Sequence, residues 1–167
     1  MSRIALYTFG ISKYGLKSRS MTSFAQLVRG VYEAAYKSEG FVAQAMDARP
    51  DLAGEDKMGQ DYGQWGTYEV PRFAYTNMSN VQRKEQEITT LSIWADLQSA
   101  RQFVYHGVHQ TALKRREEWF QSGLWPGYVM WWIRDDEIPT WVAGCHRLEA
   151  LFDKGPSDES VTFSTRS

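Results

Sequence analysis

The stretch RIALYTFGI at residues 3–11 decides the fold, because nearly every position in it is apolar, β-branched or aromatic. Such a run predicts a buried first strand. Ser20 and Thr22 follow as candidate N-caps of a helix. The apolar positions of that helix recur every three or four residues, as one face requires, at Phe24, Leu27, Val28, Val31 and Ala35. Gly40 then predicts the end of the helix, and residues 41–46 predict a second strand.

The second half of the chain repeats this order. Residues 85–94 predict a third strand, and Asp96 is positioned to cap one long helix over residues 97–121, in which Gly107 is a weak point. Residues 128–133 predict a fourth strand, Thr140 is positioned to cap a further helix, and residues 161–163 could add a short terminal strand. This order is the split βαβ pattern of a ferredoxin-like fold. We therefore predict an α+β fold with an antiparallel sheet, in a single domain over residues 1–167.

A long insertion at residues 47–84 interrupts the pattern. It lacks periodicity and contains four glycines, but aromatic residues are interleaved with them. A long irregular segment inside a compact domain is uncommon and often functional or mobile. We expect this one to be a flap over a pocket or an arm around a partner subunit, and to be the part most sensitive to proteases.

A ferredoxin-like sheet carries its helices on one face and leaves the other face bare. Here the first, third and fourth strands are apolar on both faces, with Ser92 and Trp94 opposite Leu91 and Ile93 in the third, and Trp131 opposite Trp132 in the fourth. An exposed face that carries tryptophan needs a cover, and a second copy of the sheet is the simplest one. We therefore expect a homodimer that pairs sheet to sheet, as a dimeric α/β barrel.

Composition excludes several classes of function. The chain has 167 residues and a formal net charge of −1, which argues against nucleic acid as a partner. Its one cysteine, Cys145, excludes an internal disulfide and a multi-cysteine zinc site. The longest apolar runs are too short to span a bilayer, and no secretory signal is evident, so we expect no membrane partner and a cytoplasmic location. Aromatic residues make up 14% of the chain, which favours a rich core, a pocket for a flat ligand or a subunit interface.

Several short motifs, in order along the chain, resemble those of an uncharacterised domain family in the dimeric α/β-barrel superfamily, beside the antibiotic-biosynthesis monooxygenases. The most specific of them is a histidine, His109, followed by Arg116, Trp119 and Phe120. The others are SIW at 92–94, FVY at 103–105, WW at 131–132, PT at 139–140, RLE at 147–149 and GP at 155–156. The resemblance implies a ferredoxin-like protomer paired sheet to sheet. Relatives in that superfamily include cofactor-free oxygenases, lactone isomerases, cyclases and haem-binding enzymes, so the fold does not fix the reaction.

His109 is the first candidate for chemistry. On one continuous helix it would share a face with Tyr105, Leu113 and Arg116. A partly buried imidazole can titrate near neutrality, as a general base requires. Arg116 could hold a developing enolate or a carboxylate, and Tyr105 could polarise or anchor an oxygen. The alternative is a structural histidine bonded to a backbone carbonyl.

Aromatic side chains are the candidates for the wall of a substrate site. The predicted substrate-binding residues are Trp94, Ser92, Trp119, Trp131, Trp132 and Phe120. For at least two of the tryptophans, packing in the core or in the dimer interface is the preferred interpretation.

His106 and His109 have the spacing H-x-x-H, but no acidic ligand stands at a helical offset beside them, so we expect no metal and an exposed His106. Haem stays open as an alternative, because one histidine suffices as its axial ligand.

These residues predict an enzyme without a cofactor that acts on a hydrophobic, polycyclic or conjugated small molecule. Isomerisation, cyclisation and oxygenation of an electron-rich substrate need only a moved proton and a stabilised oxyanion. A haem or metal protein of the same fold and a non-catalytic small-molecule binder are the alternatives.

Overall fold

A computed structural model describes residues 2–123, 125–158 and 160–163, with the side chain of Asn80 left out. Its four strands form one antiparallel sheet in the order β2-β3-β1-β4. The strands are β1 (Ser2–Ile11), β2 (Phe41–Gln44), β3 (Glu87–Trp94) and β4 (Tyr128–Arg134). The predicted α+β class and antiparallel sheet are therefore confirmed. The predicted terminal strand is reduced to a single bridge between Val161 and Met130.

Seven α-helices connect and cover the strands within the described residues. They are α1 (Thr22–Lys37), α2 (Arg72–Asn77), α3 (Asn80–Gln86), α4 (Leu97–Tyr105), α5 (Gly107–Lys114), α6 (Arg116–Trp119) and α7 (Trp141–Lys154). Asp96 and Thr140 cap α4 and α7 through hydrogen bonds from the amides of Ser99 and Ala143, as predicted. The predicted caps of α1 are wrong, since a short 3₁₀ turn leads into this helix and Met21 occupies the cap position. In the described parts of the chain, no helix has both the length and the apolar character needed to cross a membrane.

The single helix predicted over residues 97–121 is wrong. His106 has an extended backbone conformation, and Gly107 has φ = 61°, in the left-handed region that glycine adopts most easily. The helix therefore ends at Tyr105 and restarts as α5. A second break at Arg115 separates α5 from α6. Leucine and aromatic residues recur at helical spacing across both breaks, so periodicity alone did not predict the breaks.

The insertion at residues 47–84 lies on one face of the sheet. Its buried side chains join those of α7 in one apolar cluster with the odd-numbered residues of β1 and β4, such as Tyr7 and Trp131. The insertion contributes Leu52, Tyr62, Trp65, Tyr68, Val70, Phe73 and Ala74 to this cluster. The prediction that this segment is structureless is therefore wrong, because it contains α2, α3 and two 3₁₀ turns, and its aromatic residues belong to the core.

Polar contacts hold the insertion to the start of β3. The Tyr68 hydroxyl donates to Oε1 of Glu87 (3.0 Å) and lies 2.6 Å from the Thr89 hydroxyl oxygen. Arg83 of α3 adds an ion pair to Glu87 at 3.5 Å. Burial raises the pKa of Glu87, although Arg83 and Tyr68 oppose that shift.

The covered face changes the argument for a dimer. The sequence predicted that this face is bare, but the insertion and α7 cover it within the same chain. At Gly144, α7 lies so near the sheet that an added Cβ would stand 2.7 Å from the Tyr7 ring. A sheet-to-sheet dimer would have to displace these elements, so any homodimer needs another surface.

Candidate functional site

A cavity of about 560 Å³ lies on the opposite face of the sheet, beneath the helices. Its floor is formed by alternate residues of β1 and β3, including Leu6, Thr8, Thr90 and Ser92, which the strand register places side by side. The apolar face of α1 forms one wall, and α4, α5 and the start of α6 form the other. No described residue between 45 and 87 lines it, so the insertion is not a flap over this cavity.

His109 lies in the wall of the cavity on the first turn of α5. Its Nδ1 stands 3.0 Å from the backbone oxygen of Val104, and its ring contacts that of Phe103 at 5.0 Å between centroids. A carbonyl oxygen only accepts, so Nδ1 carries the proton and the neutral ring keeps a lone pair on Nε2. Burial lowers the pKa of His109 below its usual value, against the opposing effect of the Val104 carbonyl. The side chain is therefore held as a neutral base.

The break between α4 and α5 places His109 beside the Val104 carbonyl. Because α4 ends at Tyr105, the Val104 carbonyl lies in its last turn and lacks a following helical amide. The imidazole of the restarted helix supplies that donor. Tyr105 and His109 thus lie on different helices, and the prediction that they share one helix face is wrong. Both nevertheless line the cavity, and Tyr105 packs edge-on against Phe163.

Arg116, the first residue of α6, lies where the cavity meets solvent. Its side chain is exposed and lines the cavity, and it makes no hydrogen bond or ion pair with any residue that the structure describes. The neighbouring Arg115 differs, since its guanidinium pairs with Glu118 at 2.8 Å and lies over the Trp119 ring. Only the second arginine of the pair is therefore free to meet a ligand.

Three of the six predicted wall residues line the cavity: Trp94, Ser92 and Phe120. Trp94 is 1% exposed, stacks on Phe103 at 4.9 Å and donates its indole N–H to the Ser92 hydroxyl at 3.0 Å. Phe120 packs edge-on against Phe24 and lies over Gly10, where a Cβ would come within 2.9 Å of its ring.

The other three tryptophans lie outside the cavity lining, which corrects the prediction for them. Trp119 is buried against Phe24 and donates to the Ser23 hydroxyl at 3.0 Å. Trp131 points to the opposite face of the sheet and joins the core there. Trp132 is on the cavity side of β4, but it is 48% exposed at the sheet edge. The expectation that at least two tryptophans serve in packing thus agrees with the burial of Trp119 and Trp131.

The family described as Domain of unknown function (DUF3291) matches residues 3–167. The chain belongs to this family. A crystal structure of NE2512, a protein of unknown function from Nitrosomonas europaea, is similar with a TM-score of 0.45 and 9% sequence identity. The similarity covers 83% of this chain and 96% of that one. No curated protein matches the chain.

The DUF3291 chain has lining residues that the sequence did not single out. Thr8 and Thr90 face each other across β1 and β3, with 2.5 Å between their hydroxyl oxygens. Tyr32 of α1 and Tyr128 of β4 also line the cavity, and burial raises the pKa of both phenols. The sequence shows the apolar face of α1. Whether side chains fill the space between α1 and the sheet depends on the distance between these two layers, which the sequence does not show.

A polar groove of about 650 Å³ lies on the other side of His109 in this DUF3291 domain. Glu39, Asp96 and His106 line it, and His109 contributes to both this groove and the cavity. His106 is exposed, as predicted, and bonds through Nδ1 to the Gln102 carbonyl at 3.0 Å. Within the described ranges, no group of three or more His, Cys, Asp or Glu side chains is arranged to hold a metal ion.

Proposed function

We propose that the cavity binds a flat, apolar, conjugated or polycyclic small molecule and that the protein is a cofactor-independent enzyme acting on it by acid–base chemistry. The observation that carries this proposal is the state of His109. A purely structural histidine needs only its bond to Val104, but this one also lines an apolar cavity, and its Nε2 has no hydrogen-bond partner among the described residues. The lowered pKa keeps that nitrogen available as a base at neutral pH.

In this proposal each polar group has a distinct role. His109 accepts a proton from the bound molecule through Nε2. Arg116 and Tyr105 polarise or anchor an oxygen of the substrate, since a guanidinium and a phenol both donate to a developing oxyanion. The polar groove behind His109 gives the ring a side that communicates with water, which supports return of the proton after each turnover. Isomerisation and cyclisation fit these groups as they stand, and oxygenation of an electron-rich ring would also need dioxygen as the oxidant.

The finer fold assignment is part of the proposal. The strand order β2-β3-β1-β4, with α1 and α4 on one face, supports a ferredoxin-like split βαβ unit. Membership of the dimeric α/β-barrel superfamily rests on the sequence resemblance. A homodimer and a cytoplasmic location remain predictions, as does the absence of nucleic acid and membrane partners.

Binding is tested first, with pyrenebutanol as a flat neutral probe followed by fluorescence titration. Ala112→Trp and Leu27→Trp both place an indole in the cavity from opposite walls, so we expect each to weaken binding at least about 10-fold. Val142→Trp adds the same group on the exposed side of α7 and should leave binding unchanged. Equal binding by all four proteins would exclude the cavity as the site.

Turnover is tested on any substrate that the binding assay identifies. His109→Ala should lower kcat by about 10²–10⁴-fold, the usual contribution of a positioned acid–base group. His106→Ala, on the groove side, should change kcat little. Full activity of the His109 variant would leave a non-catalytic role for this cavity, such as storage or sensing of the same ligand.

Haem binding is the second candidate, and one specific observation favours it. A histidine that ligates a metal commonly donates its other ring N–H to a backbone carbonyl, as His109 does to Val104. His109 would hold the haem iron through Nε2, and a bound haem would supply redox or oxygen chemistry. Titration with hemin separates the candidates, because a Soret band that depends on His109 supports haem and its absence supports the cofactor-free enzyme.

A further inference from the structure

The charges around the cavity indicate the kind of ligand that it accepts. Among the described residues that line it, Arg116 is the one side chain with a formal charge, because burial keeps His109 neutral and no Asp or Glu takes part. The chain has 20 acidic residues, so their absence from this surface is informative. We infer that the ligand is an apolar carboxylic acid whose carboxylate binds Arg116 while its hydrocarbon body enters the cavity. This inference rests on the proposed function, since it concerns the same cavity.

Most other polar side chains in the lining already have partners inside the protein. Thr8 and Thr90 bond to each other, and Ser92 accepts from Trp94. Gln44 donates to the Tyr36 hydroxyl, and Gln121 to the Ser12 carbonyl. These groups keep some capacity to bond, such as the Ser92 hydroxyl proton, but they are neutral, so the deep part of the cavity offers no charge to match a carboxylate.

Arg116 is the one charged donor among the described lining residues, whereas the Tyr105 phenol already bonds to that of Tyr128. A guanidinium presents paired N–H groups in a plane, which match the two oxygens of a carboxylate. Its exposed position lets the acid group stay partly hydrated, so binding avoids the large desolvation penalty of a buried charge. Arg115 cannot serve in the same way, because Glu118 already neutralises it.

The ligand is therefore oriented. Its acid group stays at the rim near α6, and its body reaches between α1 and the sheet toward Trp94. Such a molecule would present the carbon atoms near its acid group to the part of the wall where His109 and Arg116 stand.

The test compares pyrenebutyrate with pyrenebutanol, which differ in the acid group alone, in fluorescence titrations of the whole protein. An exposed ion pair corresponds to at most about 5-fold in affinity, so we expect pyrenebutyrate to bind about 3- to 5-fold more tightly. Arg116→Gln should remove this preference, because it weakens binding of the acid far more than binding of the alcohol, whose oxygen the neutral amide can still meet. Arg116→Lys should keep part of it, because it retains the charge without the paired donors.

Lys114→Gln is the matched control. It removes one exposed positive charge two residues before Arg116, and the Lys114 side chain lies outside the cavity lining. It should preserve the preference for the acid. Equal affinities of the two probes, or a preference that survives Arg116→Gln, would overturn the carboxylate inference alone. Failure of both probes to bind would instead overturn the proposed function together with it.

Discussion

Nδ1 of His109 lies 3.0 Å from the backbone oxygen of Val104, at the point where α4 ends and α5 begins. This hydrogen bond has two consequences. It supplies a donor to a carbonyl that the helix break leaves without its usual amide, and it fixes the proton on Nδ1 so that Nε2 is free. The structural and the chemical interpretations of His109 are therefore compatible, and they have different experimental signatures.

The first signature is a pH-dependent contribution to stability. The folded state keeps His109 neutral because burial lowers its pKa below the usual value of 6.5. Below pH 6.5 the His109 imidazole takes up a proton more readily in the unfolded chain than in the folded chain. Acidification therefore lowers the free energy of unfolding through this residue. His109→Gln should lose about 1 kcal/mol at about pH 8, where the bond to Val104 is removed, and less at about pH 5.5. Urea unfolding at both pH values measures the difference.

His106→Gln is the control for this experiment. Its ring is exposed and bonds to Gln102 on the groove side, so we expect a change within about 0.5 kcal/mol at either pH. If His109→Gln lost the same stability at both pH values, the ring would not be held neutral by burial, and its role as a base would lose its support.

The insertion is expected to behave as core. Phe73 on α2 is 5% exposed and contacts Trp125 and Phe152, whereas Tyr75 on the same helix is 51% exposed. Phe73→Ala should lower the free energy of unfolding by about 3–5 kcal/mol, and Tyr75→Ala by less than about 1 kcal/mol. Equal and small losses would show that the insertion is mobile, as the sequence first suggested.

The oligomeric state is a separate prediction. A homodimer would have twice the chain mass of 19.3 kDa, about 39 kDa in light scattering. Because the insertion covers the sheet face, Trp131→Ala should destabilise the protomer itself rather than dissociate the dimer selectively. A stable species of 19.3 kDa at micromolar concentration would contradict the homodimer.

Local patterns predicted the four strands and the first residues of α4 and α7. Alternation placed Ser92 and Trp94 opposite Leu91 and Ile93, and Asp96 and Thr140 marked their helices by the capping chemistry that the structure shows. These features depend on neighbours in the sequence, which is why the sequence was sufficient for them.

Features set by distant contacts were not predictable in the same way. Gly107 can adopt either the helical or the left-handed backbone conformation with little penalty, so its identity alone did not predict the break. The aromatic residues of the insertion indicated burial, but not which surface they would cover. Likewise, Trp94 lines the cavity and Trp131 does not, because the sheet has a different cover on each face.

The central claim is that the cavity beside His109 binds an apolar small molecule, and the histidine resonances test it most directly. The chain has three histidines, His106, His109 and His146, and each ring signal can be assigned by its His→Gln variant in proton NMR. His109 is the one of the three that lines the cavity. Addition of pyrenebutanol should shift the His109 ring signals through the ring current of the bound probe and leave those of His106 and His146 in place. An unmoved His109 signal at saturating probe, or equal shifts of all three, would contradict the account.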